Sequence, residues 1–270
     1  MSRYHDADDP IVSVDAHPPK VIAHLVRTIG VSKAGMPVTK TITLGVLAGA
    51  FIAMGGLFYT VVLTGSELGH GPTQLLAGAA FSLGLILVLV GGAELFTGNS
   101  LLVMAWADRK VTTAQLLRNW GLVYLGNLIG ALAMAVLVVG SGVLDAATGE
   151  VAETAGRIAT GKLALDPLAS LIRAFLCNVL VCLAVWLCFA ARSVTGKILA
   201  IIPPITAFVA IGFEHSVANM YLIPVAFLAG TTPIDPTGFL INLAIVSVGN
   251  VFGGGVLVAS VYWLVYLHQE

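Results

Sequence analysis

Apolar residues gather in six stretches, each long enough for the roughly 20 residues that a bilayer-spanning helix needs. They cover residues 41–63, 75–104, 120–139, 168–190, 198–228 and 239–267. The second, fifth and sixth are longer than one crossing requires, and polar residues interrupt the second and fifth. Ahead of them, residues 18–33 place Val21, Ile22, Leu25, Val26 and Ile29 at helical spacing with Lys20 and Arg27 beside them. That pattern predicts an amphipathic helix at the membrane surface, or a simple cover over one mouth. Residues 1–40 thus read as an N-terminal segment with one amphipathic helix, and residues 41–268 as one transmembrane domain.

Composition supports this pattern. Only 10% of the 270 residues are charged and the mean hydropathy is +0.97, whereas a soluble domain carries about 25% charged residues. The 30 glycines suit close helix packing in lipid. A net charge of −1 points to no nucleic acid and no polyanionic partner. Residues 1–19 are polar, with no apolar core of a cleavable signal peptide. Cys177, Cys182 and Cys188 share one apolar run on different helix faces, so packing is their expected role and no metal or cofactor is indicated.

Charge then sets the expected orientation. Arg3, Lys20, Arg27, Lys33, Lys40, Arg109, Lys110, Arg118, Arg192 and Lys197 fall on one side, against Arg157, Lys162 and Arg173 on the other. Both termini are therefore expected in the cytoplasm. Trp106, Trp120, Trp186 and Trp263 fall at or near helix ends on that same side, as an aromatic belt would.

The two halves of the chain echo each other. Gly92-Ala-Glu94-Leu-Phe-Thr-Gly-Asn99 and Gly212-Phe-Glu214-His-Ser-Val-Ala-Asn219 both read G-x-E-x-x-x-x-N. Downstream, Gly126-Asn127-Leu-Ile-Gly130 and Gly249-Asn250-Val-Phe-Gly253 both read G-N-x-x-G. A repeat of three spans is odd, so the second copy must be inverted, and inverted repeats with broken helices put a solute site near the bilayer midplane. Unwound backbone is tolerated there if it lines a wet cavity. Half-helix N-termini would turn positive dipole ends and unpaired N–H groups inward, which suits an anion.

Ionisable groups in the membrane cost about 2.5–3.5 kcal/mol each on insertion scales, and Glu94, Glu214 and His215 carry that cost. Either glutamate could brace its break by accepting hydrogen bonds from freed backbone N–H groups. His215 stands where the first repeat has Leu95; a histidine beside a carboxylate in a break reads as pore-lining, able to attract an anion and to pass a proton. Lys162 is either an ordinary lysine of a connection or a lure for anions, paired with Glu214. Asn178 is either a helix–helix hydrogen bond or an orienter of the break.

These residues resemble the formate/nitrite transporter family. Phe81-Ser-Leu-Gly-Leu85 through Asn99 is similar to that family's second helix and Ω-loop, Gly212 through Met220 to its broken fifth helix, and Asn178 through Trp186 to its fourth. With Gly249-Asn250, the resemblance spans roughly residues 20–268. It implies an all-α integral membrane fold of six transmembrane helices in two inverted three-helix repeats, with an aquaporin-like protomer, broken helices two and five, and a homopentamer. It further implies that Leu85, Leu95 and Phe208 narrow the cytoplasmic side and Phe81 and Val181 the periplasmic side, with Phe96 also in the constriction. Thr97 and His215 would face each other between them, and Lys162, Glu214, Asn178, Asn219 and Asn250 would serve the substrate path. At position 94 the family's formate channels carry Asp, and this chain carries Glu.

The function expected is passive or proton-coupled passage of small monovalent weak-acid anions across the cytoplasmic membrane, with formate favoured over nitrite or hydrosulfide. A water or glycerol channel is the alternative class, but no paired Asn-Pro-Ala signature occurs. No H-E-x-x-H or G-x-S-x-G motif suggests an enzyme.

Overall fold

The computed structural model describes residues 16–268. Residues 1–15, including Arg3 of the charge count, and residues 269–270 lie outside the described residues. Helix α1 (Pro19–Ala34) precedes α2 (Val38–Leu63) and α3 (His70–Gly91). After a break come a 3-10 turn (Gly98–Leu102) and the short α4 (Val103–Ala107), then α5 (Thr113–Gly140) and α6 (Glu150–Leu163). The second half runs α7 (Pro167–Ala190), α8 (Val194–Ile211), α9 (Ser216–Leu228) and α10 (Pro236–Val251). A π-helical segment (Phe252–Ser260) leads from α10 into α11 (Val261–Tyr266). Among the described residues, six helical segments are long and apolar enough to cross a membrane, the last running Pro236–Tyr266.

Both interrupted stretches break at a glycine. Gly92 and Gly212 adopt left-handed backbone, with φ of 85° and 80°, a conformation that a side chain would disfavour. In each case the next amide reaches back five residues, Ala93 N–H to the Val88 carbonyl and Phe213 N–H to the Phe208 carbonyl. The chain then runs non-helically to Glu94 and Glu214.

Glycines also set how closely the spans approach. A Cβ on Gly126 would meet the Ile42 carbonyl oxygen at 2.7 Å, and one on Gly249 the Leu171 carbonyl oxygen at 2.6 Å. Ile42 lies on α2 and Leu171 on α7, so α2–α5 and α7–α10 pack in the same way in the two repeats. Further along each pair, a Cβ on Gly130 would overlap the Val46 carbonyl oxygen, and one on Gly253 the Phe175 carbonyl oxygen.

Two expectations need correction. The connection holding Lys162 is a 14-residue helix, with Glu150 and Glu153 in its first turn and Val151, Ala155 and Ala159 buried. Trp186 is buried against Tyr262 and Tyr266, and the half-buried Trp120 donates from Nε1 to the Asn99 carbonyl at 2.9 Å; two of the four tryptophans therefore serve packing and the break, not a headgroup belt. The cysteines are free and buried.

Gly253→Leu should disrupt the fold, since overpacking costs about 1–3 kcal/mol or more, while Gly121→Ala, where a Cβ meets nothing within 4 Å, should not destabilise. Thermal melting in detergent, followed by size-exclusion chromatography, checks both; equal melting of the two variants would refute the packing argument.

Candidate functional site

Ending a helix inside a membrane frees backbone groups that lipid cannot satisfy, and two asparagines take up this task. Asn127 accepts from Phe96 N–H at 2.9 Å and donates from Nδ2 to the carbonyls of Gly45 (2.8 Å) and Glu94 (2.9 Å). Asn250 accepts from Ser216 N–H at 2.9 Å and donates to the carbonyls of Ala174 (2.7 Å) and Glu214 (2.9 Å). The Glu94 amide donates to Leu44 and the Glu214 amide to Arg173. The two breaks are thus held by one bonding scheme, related by the inverted repeat.

The glutamates do not brace the breaks through backbone N–H groups, as one reading of the sequence had it. Glu94 pairs with Lys33 (Nζ–Oε1, 3.0 Å) and accepts from Asn99 Nδ2 at 2.7 Å. Glu214 pairs with Lys162 (2.9 Å) and accepts from Asn219 Nδ2 at 2.7 Å. Asn99 also donates to Asn119, and Asn219 to Asn242. Those last two turn their own amides to the Lys33 and Lys162 carbonyls. Each cluster is therefore a Lys–Glu–Asn–Asn unit with a buried glutamate and asparagines and a half-buried lysine, the lysine coming from the helix preceding the repeat's first span.

Lys33, Asn119 and Asn242 were missed as site residues. A signal existed: Asn119 and Asn242 each stand eight positions before Asn127 and Asn250, and Lys162 follows Lys33 by the same 129 positions that separate Arg173 from Leu44.

Each cluster opens on its own vestibule. The Lys33 vestibule is a narrow space of about 40 Å³ whose lining includes Leu85, Leu95 and Asn99. The Lys162 vestibule is about 280 Å³ and is lined by Phe81, Phe208, Glu214 and His215 among others. Thr97 is fully buried and lines neither, but it stands next to Gly98 of the first in sequence and against His215 of the second. Phe208 thus sits on the Phe81 side and not with Leu85 and Leu95. Its ring stacks on His215 (centroids 5.9 Å apart) and meets Phe81 edge-on at 5.7 Å. Phe96 lines neither vestibule, and its ring packs on Tyr124 and Trp120 of α5. Val181 is buried within α7 and lines neither vestibule. Asn178, Asn219 and Asn250 likewise line neither and serve the framework. Asn178 bridges the halves, its two Nδ2 hydrogens shared among the Asn250 carbonyl (2.6 Å), Ser100 Oγ (3.1 Å) and the Thr97 carbonyl (3.2 Å).

Where the vestibules approach each other, His215 Nε2 lies 2.9 Å from Thr97 Oγ1. His215 is also the N-cap of α9: the Ala218 N–H points at its Nδ1 from 3.0 Å. A nitrogen that accepts cannot also carry the proton, so the neutral ring holds its hydrogen on Nε2 and donates to Thr97. The α9 N-terminus consequently does not offer these groups to a solute; the Ser216 and Ala218 amides are taken by Asn250 and His215.

The formate/nitrite transporter family model matches residues 20–264. The chain belongs to that family. Among relatives of this formate/nitrite transporter, formate channel FocA of Escherichia coli (strain K12) is 36% identical over 98% of each chain. A probable formate transporter of Methanothermobacter thermautotrophicus is 44% identical, covering 88% of this chain and 92% of its own. A solved structure, a pentameric formate channel with formate bound, superposes with a TM-score of 0.79 at 38% identity, over 85% of this chain and 98% of that one. As in the rest of the family, the chain is a multi-pass membrane transport protein and not an enzyme.

Removing one partner of a buried ion pair costs about 3–5 kcal/mol because the other charge is left uncompensated. Lys162→Met should therefore lower the melting temperature in detergent, and adding Glu214→Gln should restore most of the loss. Additive losses in the double variant would show that the two side chains are not coupled.

Proposed function

We propose that each protomer conducts small monovalent weak-acid anions, with formate the best-supported substrate, along a path from one lysine vestibule to the other past Thr97 and His215. The observation that carries this reading is the order of groups along the path. A Lys–Glu cluster stands at each end, apolar side chains lie inside each (Leu85 and Leu95; Phe81 and Phe208), and one hydrogen-bonding pair sits at the centre. The relatives named as formate channels, and the pentameric one with formate bound, support the same substrate and a homopentameric assembly. We place the Lys33 face in the cytoplasm, on the count of Lys and Arg.

The lysines attract an anion electrostatically, and the apolar rings then oppose it, since a bare charge loses its hydration without a partner. Passage of the anion together with a proton, as the neutral acid, removes that barrier. His215 enters this step as a hydrogen-bond donor and not as a standing cation. Its Nε2–H is fixed on Thr97, whose own hydroxyl proton is thereby free of His215 and can turn to a passing oxygen. Protonating Nδ1 as well would set two N–H donors against each other and break the α9 cap. A proton leaving through Nε2 would have to be matched by one arriving at Nδ1, so transfer and cap release are coupled.

Proteoliposomes holding the purified protein should take up formate faster as pH falls from 8 to 5, with glycerol excluded. Glycerol entry without anion entry would overturn the reading. His215→Asn keeps an N-cap acceptor and removes Nε2–H, so it should assemble normally and change the pH profile of uptake. An unaltered profile would remove His215 from the proton pathway.

A further inference from the structure

The two vestibules are built on one scaffold and differ in charge. The Lys33 vestibule has Lys33 as its one charged residue among the described lining residues, and Lys33 is held twice, by Glu94 Oε1 and by Asn99 Oδ1 at 2.8 Å. The Lys162 vestibule is lined by Arg157, Lys162 and Arg173 against a single carboxylate of its own, Glu214. Among the described residues the Lys162 ammonium pairs with Glu214 alone, and Asn219 Oδ1, the counterpart of the oxygen that holds Lys33, has no hydrogen-bond partner. Arg157 donates from Nη2 to Thr154 Oγ1 at 2.7 Å, and its one acidic neighbour is the loose, exposed pairing with Glu153 at 4.0 Å.

Arg173 is the decisive departure. Its repeat counterpart is Leu44: both give their carbonyl to the amide of the break glutamate. Its guanidinium Nη1 donates to the Gly212 carbonyl at 3.3 Å, at the C-terminal end of half-helix α8. One donor of five is used there, and the cation offsets the negative end of the helix dipole at this mouth. The equivalent end of α3, at Gly92, has the uncharged Leu44 in that place. Arg173 is exposed and lines the 280 Å³ cavity together with Lys162. A planar fork beside a point charge suits a small carboxylate or similar oxyanion.

We propose that Arg173 docks the anion in the Lys162 vestibule, so that this mouth binds substrate before the central step and the Lys33 mouth does not. The proposal rests on the transport reading above. It has a kinetic signature that a purely structural role lacks. Passive exchange must give equal permeability from both faces at low concentration, because detailed balance ties them to the same central barrier. A binding well at one mouth leaves that slope unchanged. It lowers both the half-saturating concentration and the maximal rate for entry from that mouth alone.

The test compares right-side-out and inside-out membrane vesicles carrying wild type, Arg173→Gln and Arg173→Lys, with formate entry measured at zero membrane potential and no pH gradient. The glutamine retains an N–H donor for the Gly212 carbonyl and removes the charge. Its half-saturation should rise roughly two- to fivefold, the scale of an exposed charge pair, in one vesicle orientation only. The maximal rate should rise in proportion and the low-concentration slope stay constant. Arg173→Lys should restore most of the wild-type half-saturation. Equal changes from both faces, a fall in permeability, or no change at all would overturn the docking role. A wild type that passes no formate would instead sink the transport reading, and this inference with it.

Discussion

Two helices stop inside the bundle of membrane-spanning helices, and every other feature of the path depends on how the freed backbone groups are satisfied there. Water is unavailable in hydrocarbon, and an unpaired buried amide or carbonyl costs about 1–3 kcal/mol. One asparagine per repeat closes the account with three hydrogen bonds, tying the break to the first span of its own repeat. Because Asn127 and Asn250 hold the carbonyls of Glu94 and Glu214, they also fix where each carboxylate emerges. The lysines of α1 and α6 can then be brought to it from outside the span. The ion pairs are consequences of the broken helices, not their cause.

Departures from the repeat carry the asymmetry of the path. Where the first repeat has Leu95, the second has His215, which places one hydrogen-bonding ring against one apolar gap. Val88 and Phe208 accept equivalent backbone bonds at the two helix ends, yet only Phe208 stacks on an imidazole. Gly49 and Asn178 are a third such pair by position. Gly49 is pressed against the backbone of Asn127, where any side chain would clash. Asn178 uses its amide to hold the Thr97 carbonyl and the Asn250 carbonyl together. A symmetric frame with asymmetric side chains allows the two faces of one channel to differ without a different fold.

Much of this was legible in the chain. Hydropathy gave six spans, and the paired G-x-E-x-x-x-x-N and G-N-x-x-G runs gave the inverted repeat and both breaks. The pairing of Lys162 with Glu214 is one of two readings the residues offer, and the facing of Thr97 and His215 follows from the family's motifs. Less legible was anything needing a direction in space. Phe96 and Thr97 are neighbours, but the bond from the Phe96 amide to Asn127 turns that ring toward Tyr124, away from the path. Phe208 borders the Phe81 cavity, and sequence spacing does not show which side of a break a ring faces. Helix α6 was read as a connection since its apolar face is small, built of alanines and a valine, and its charges look like those of a loop. Lys33 was counted only as one positive charge among ten, although its repeat partner had already been singled out.

The cysteines bear on how such a path can be probed. Cys177, Cys182 and Cys188 are 0%, 0% and 5% exposed, enclosed by the same packing that seals the second repeat. A polar thiol reagent in the aqueous phase therefore meets a chain that is silent in its native form. A single cysteine introduced at Arg157 or Ile29 would report on one mouth alone, without prior removal of the native thiols and the packing they provide.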